Sequence, residues 1–101
     1  NIMFTIESIQ NIKSPSKKQS ICGKNQISCV IIYNRDVYTH NKLTFDVSVI
    51  SLQGGYIFLD DELSINDAIQ LANTVLIEDE KKEFNTWLRD YFAHIPRLIH
   101  V

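Results

Sequence analysis

The apolar period of this chain changes from two to about 3.6, and the change falls at Ser64. Upstream, Leu43-Thr44-Phe45-Asp46-Val47-Ser48-Val49 alternates apolar and polar side chains, the pattern of a strand with one buried face. Downstream, Ile65, Ala68, Ile69, Ala72, Val75 and Leu76 recur at helical spacing, and a second stripe follows in Phe84, Trp87, Leu88, Tyr91, Phe92 and Ile95. Sheet therefore precedes helices, and the class is α+β. The expected architecture is a four- to five-stranded, mainly antiparallel meander at the N-terminal side, packed on one face by two C-terminal helices. With 45% hydrophobic residues in 101, residues 1–101 read as a single domain with enough apolar side chain for a core.

Turn chemistry divides the sheet. A first strand is expected from Ile2 to about Ile12, and Ser14-Pro15-Ser16-Lys17-Lys18-Gln19-Ser20 reads as a loop. A second strand, Gln26 to Tyr33, is nearly continuous in apolar residues, as a central strand is. Asn34-Arg35-Asp36 reads as a turn before Val37-Tyr38-Thr39-His40, and Asn41-Lys42 closes a hairpin into the strand Leu43 to Ser51. Leu43, Phe45, Val47 and Val49 point to the core on this reading, and Thr44, Asp46 and Ser48 point to solvent. Val30, Ile32 and Ile50 then fall on the second face with opposite parity to Ile31 and Val49, which implies that part of that face is covered. Gln53-Gly54-Gly55 turns the chain into a strand over Tyr56–Leu59.

Ser64 is placed to cap a first helix over about 64–77, with Asp67 three residues on. One helix from 64 to 95 would be about 48 Å long at ~1.5 Å per residue, too long for so small a domain. The apolar stripe lapses at Asp79, Glu80 and Glu83, so a break is expected near Glu78. Pro96 ends the second helix, and Arg97-Leu98-Ile99-His100-Val101 is apolar enough to dock as a short edge strand.

Composition excludes several classes. No run of roughly 18 apolar residues is present, so no membrane-spanning helix is expected. The start, Asn1-Ile2-Met3-Phe4-Thr5-Ile6-Glu7, lacks a basic region leading into an apolar one, which points to the cytoplasm. Cys22 and Cys29 fit neither a zinc pattern nor a Cys-x-x-Cys motif. Free thiols in a reducing cytosol are the plainer reading; a bridge requires Gly23-Lys24-Asn25 to form a turn. The histidines, His40, His94 and His100, have no neighbour at ligand spacing, so no metal or cofactor is expected. His94 suits the end of a helix as a capping cation. His40 or His100 can serve as a general base only if the fold brings a carboxylate beside it. No nucleophile motif or phosphate loop is present, and Gly54-Gly55 is accounted for by a turn. The expectation is a protein that is not an enzyme.

Charge is unevenly placed. Residues 8–35 carry Lys13, Lys17, Lys18, Lys24 and Arg35 with no acid, a net of +5. Residues 36–101 carry eleven acids against five bases, a net of −6. The lysine loop lacks interleaved aromatics, which argues against nucleic acid as the partner. Two acidic runs stand out, Asp60-Asp61-Glu62 and Glu78-Asp79-Glu80 with Glu83. Such runs complement helix N-termini, and they also suit a basic protein surface. Small size, no active-site motif and two acidic runs are similar in character to small inhibitor or immunity proteins. That likeness implies an antitoxin-like protein covering a basic toxin, such as a nuclease in its substrate cleft, through Asp60, Asp61, Glu62, Glu78, Asp79, Glu80 and Glu83. The alternative is a homo-oligomeric structural or regulatory subunit pairing through an exposed strand such as Tyr56–Leu59 or the tail.

Overall fold

Two tight turns set the sheet. At His40-Asn41 both residues take left-handed backbone angles (φ 53° and 65°), as a two-residue primed hairpin turn demands, and Thr39 pairs directly with Lys42 across it. At the next turn the Ser51 hydroxyl accepts from the amides of Gln53 and Gly54 (both 3.2 Å), and Gly55 supplies the positive φ of 73° that closes it. These turns join β2 (Ser28–Thr39), β3 (Lys42–Ser51) and β4 (Gly55–Leu63); β1 (Lys18–Cys22) precedes them. In this computed structural model, which describes residues 2–12 and 17–94, the strands form one antiparallel meander in the order β1-β2-β3-β4. Helices α2 (Ile65–Glu80) and α3 (Phe84–His94) follow and cover one face, so the α+β architecture holds with four strands.

Two expectations at the N-terminal side give way. Residues 6–10 form a short helix, α1 (Ile6–Gln10), where an extended strand is predicted. Thr5 and Ser8 explain it: the Thr5 hydroxyl accepts from the Ser8 amide and the Ser8 hydroxyl from the Thr5 amide, each at 3.1 Å, a reciprocal cap that outweighs the weak alternation. The first strand is instead β1, which overlaps the predicted loop. Phe4 stays extended because Asn73 of α2 serves as its strand partner, accepting from the Phe4 amide (2.9 Å) and donating to its carbonyl (3.1 Å).

The core lies between sheet and helices. Val30, Ile32, Phe45, Val47, Val49 and Leu59 meet Ala68, Ala72, Val75 and Leu76 of α2 and Phe84 of α3, with Phe4 and Ile9 closing one side. Ala68 and Ala72 are small, so α2 lies close on the strands. Register places Val30 opposite Val49 and Ile32 opposite Val47, so Val30 and Ile32 face the helices and Ile31, opposite Ser48, faces away. This corrects the parity assigned from sequence. Burying one core side chain of this kind contributes about 1.5–3 kcal/mol.

The helix ends obey local chemistry. Ser64 caps α2, its hydroxyl accepting from the Asp67 amide (3.1 Å). The break comes three to five residues after Glu78: the Glu83 amide donates to the Glu78 carbonyl (2.8 Å) and the Lys82 amide to Asp79 (2.9 Å), with Lys82 left-handed at φ 61°. The predicted end at Pro96 and the tail strand lie outside the described residues.

The Asn73 contact ties the N-terminal segment to α2. Asn73→Ala is expected to cost about 1–2 kcal/mol in urea unfolding and to raise amide exchange of residues 2–5 more than that of β3.

Candidate functional site

The two acidic runs are at opposite ends of α2, so they do not make one surface. A 16-residue helix separates them by about 24 Å. Asp60, Asp61 and Glu62 are the three residues before the last of β4, on the strand itself and not in a helical first turn. Asp60 is half-buried and its carboxylate accepts from the Asp61 amide (2.8 Å). Asp61 and Glu62 are exposed.

The second run is engaged within the fold. Glu78 pairs with Lys81 at 3.2 Å, and Glu83 reaches the same ammonium at 3.6 Å. The Glu78 hydrogen bond and charge, helped by Glu83, hold the Lys81 ammonium above the ordinary lysine value. Glu80 lies 3.9 Å from Lys24, and its carbonyl accepts from the Asn25 side chain (3.0 Å).

Asp79 differs from the rest. It is fully buried, and its carboxylate accepts from the amides of Asn25 (2.9 Å) and Ser28 (2.7 Å) and from the Ser28 hydroxyl (3.0 Å). Asn25 returns a bond from its side-chain amide to the Asp79 carbonyl (2.8 Å). A β-carbon at Gly23 would overlap the carboxylate, so glycine is needed there for close approach. Asp79 is thus withdrawn from the expected contact set: its charge is spent clamping the β1–β2 turn to α2. Nothing in the sequence pairs residue 79 with residues 23–28, fifty positions away.

A further carboxylate is also missed by sequence. Asp46 is expected in solvent, yet it is largely buried and sits between two irregular strands. Its Oδ2 meets Arg35 Nε at 2.6 Å, and its Oδ1 accepts from the Glu62 amide (3.2 Å). Register shifts flank it in β2, between Asn34 and Tyr38, and in β4, where Asp61 and Glu62 oppose it. Asp36 and Glu62 take positive φ at these bulges, and Lys17 pairs with Asp36.

The sheet face away from the helices is uncovered by any described element. Ser48 and Thr44 are on it, as expected, but both are buried. Ile50, Tyr56 and Phe58 stand on the same face and remain 44–55% exposed, with Leu52 beside them at 78%. The Tyr56 hydroxyl is fixed 2.8 Å from Ser48 Oγ, and Arg35 lies over the Tyr33 ring at 5.4 Å. Cys22 and Cys29 also lie on this face, as directly opposed residues of β1 and β2, and they form a disulfide. Free thiols, the plainer sequence reading, are thereby corrected: the turn at 23–27 brings the two β-carbons together.

The histidines are dispersed. His94 ends α3, its Nδ1 2.7 Å from the Asp90 carbonyl, while His100 lies outside the described residues. His40 shares a cleft of about 460 Å³ with Lys42, Glu62 and Ser64. Those four side chains are all exposed, and the Ser64 hydroxyl is occupied as a helix cap. On the helix side, the Tyr91 hydroxyl donates to the Leu59 carbonyl (3.2 Å); burial, and then the Asp60 charge, push its phenol above the ordinary tyrosine value.

No family model matches the chain, and no curated protein or solved structure shows significant similarity to it.

The two acidic residues Asp79 and Glu83 are expected to respond very unequally to truncation. Asp79→Ala leaves three donors unpaired, the two of Ser28 buried and that of Asn25 part-buried, and is expected to cost about 3 kcal/mol in denaturant unfolding, whereas Glu83→Ala, in an exposed pair, is expected to change stability by less than about 0.5 kcal/mol.

Proposed function

We propose that this chain is a non-catalytic protein-binding inhibitor of the immunity or antitoxin kind, which acts by covering a partner with its open sheet face. The observation that carries the reading is the row Ile50, Tyr56 and Phe58, about half exposed on a face that no described element covers. Aromatic side chains give large contact area for little entropy loss, and half-exposed ones on a rigid sheet suit the centre of an interface. The exposed carboxylates of Asp61 and Glu62 stand at the end of the same strand, β4, with Asp60 beside them. They supply an acidic rim for a basic partner, such as a nuclease, and raise association rate and selectivity more than affinity. Glu78, Glu80 and Glu83, at the far end of α2, contribute only to the general field.

A homo-oligomeric role is the second reading, favoured by one observation: β4 is an edge strand. Its last residues are bulged and acidic, which blunts the edge, and only Gly55–Phe58 remain regular. A compartment is also part of the proposal. The Cys22–Cys29 bridge favours an oxidising environment over the cytoplasm expected from the sequence. The absence of a long apolar helix among the described residues argues neither way on that point.

Recovery of the tagged chain from its native cell tests the reading. A basic protein is expected to co-purify with the wild type, and its yield is expected to fall at least tenfold with Tyr56→Ser/Phe58→Ser and with Asp61→Lys/Glu62→Lys. Partner recovery indifferent to both variants and to salt contradicts the proposal. A tight dimer in sedimentation, with no other protein bound, supports the second reading instead.

A further inference from the structure

The β1–β2 turn is held from two sides, and only one of the two holds is chemically reversible. On the helix side, Asp79 grips the Asn25 and Ser28 amides. On the open face, the Cys22–Cys29 disulfide joins the strands one residue before Gly23, whose amide donates to the Ser28 carbonyl at 2.8 Å. Cys22 is exposed and Cys29 half-buried, so an external thiolate has access to the bridge.

What the bridge retains is the least anchored strand. β1 has five residues, lies at the sheet edge and pairs with β2 alone, and none of its residues is buried. The β2 residues it covers, Cys29 to Tyr33, include the fully buried Val30 and Ile32. The core cluster against α2 and α3 contains neither cysteine, and half-buried Ile21 is the one hydrophobic residue of β1 that packs on its margin.

We propose that Cys22–Cys29 is a thiol–disulfide exchange site, and that its reduction by a dithiol frees β1 from the sheet edge while the rest of the domain stays folded. The thiolate of the dithiol attacks Cys22 Sγ and expels the Cys29 thiolate, which takes up a proton. The second thiol of the reductant then attacks its own sulfur in the mixed disulfide and expels the Cys22 thiolate. Two electrons and two protons pass to the cysteine pair, and the reductant leaves as its cyclic disulfide. The consequence is local because the Asp79 clamp still holds the turn. β2 then becomes the sheet edge over Cys29–Tyr33, open to pairing with an added strand. This inference is independent of the proposed partner.

Amide hydrogen exchange on the full chain, oxidised and then treated with dithiothreitol, tests it, with thiols counted in parallel. Two thiols are expected to appear. Protection of residues 18–22 is expected to fall at least tenfold while that of β3 and α2 changes less than twofold, and reoxidation restores it. The variant Cys22→Ser/Cys29→Ser is expected to reproduce the reduced pattern without reductant. A bridge that resists millimolar dithiothreitol, β1 protection unchanged after reduction, or simultaneous loss of protection in β3 and α2 each overturns the proposal.

Discussion

A single buried carboxylate governs how the two halves of this molecule meet. Asp79 is fully buried at the end of α2, where an unpaired charge would cost several kcal/mol. Three donors from the β1–β2 turn satisfy it, and Gly23 has no side chain to keep them apart. The arrangement works in both directions. The turn presents two amides and a hydroxyl that need an acceptor once water is excluded, and the helix presents an anion that needs donors. Because α2 is pinned there, and at Phe4 through Asn73, its small residues Ala68 and Ala72 lie flat on Val30, Val47 and Val49.

A second carboxylate, Asp46, does comparable work on the other face at lower cost. It is close enough to the surface to keep some hydration, and it accepts from Arg35 and from the Glu62 amide, one from each flanking strand. The bulges in β2 and β4 that bring those groups inward also bend the sheet ends. The polar middle of the open face, Thr44, Asp46 and Ser48, is buried, while Ile50, Tyr56 and Phe58 stay exposed at the other end. Polar residues on a sheet face therefore do not by themselves mark solvent, and apolar ones on it do not by themselves mark a cover.

Much of the architecture was legible because local rules were undisputed where they applied. Ser64 caps, the 65–76 stripe is helical, and Leu43–Val49 alternates with its apolar side chains toward the helices; each depends on neighbours within four positions. The misses share a different cause. Ile2, Phe4 and Ile6 alternate, but Thr5 and Ser8 cap a helix that the alternation hides. The first three residues of β1 read as loop because Lys18 and Ser20 face solvent at an edge. Ile31 reads as core from sequence because a strand apolar on both faces leaves parity undetermined until a partner fixes register. Among the seven acidic residues put forward for contact, Asp79 alone is fully buried, since its partners lie more than fifty positions away and no local pattern encodes them. The others lie at two ends of one helix because a helix of that length separates them, which sequence order could have revealed.

The claim that the Asp79 carboxylate and the bare backbone of Gly23 form one unit is tested most directly by a double-mutant cycle in urea unfolding. Gly23→Ala is expected to destabilise the wild type by about 3 kcal/mol and the Asp79→Ala background by less than about 0.5 kcal/mol, since the group that a β-carbon would strike is then gone. Equal costs in both backgrounds would contradict the account.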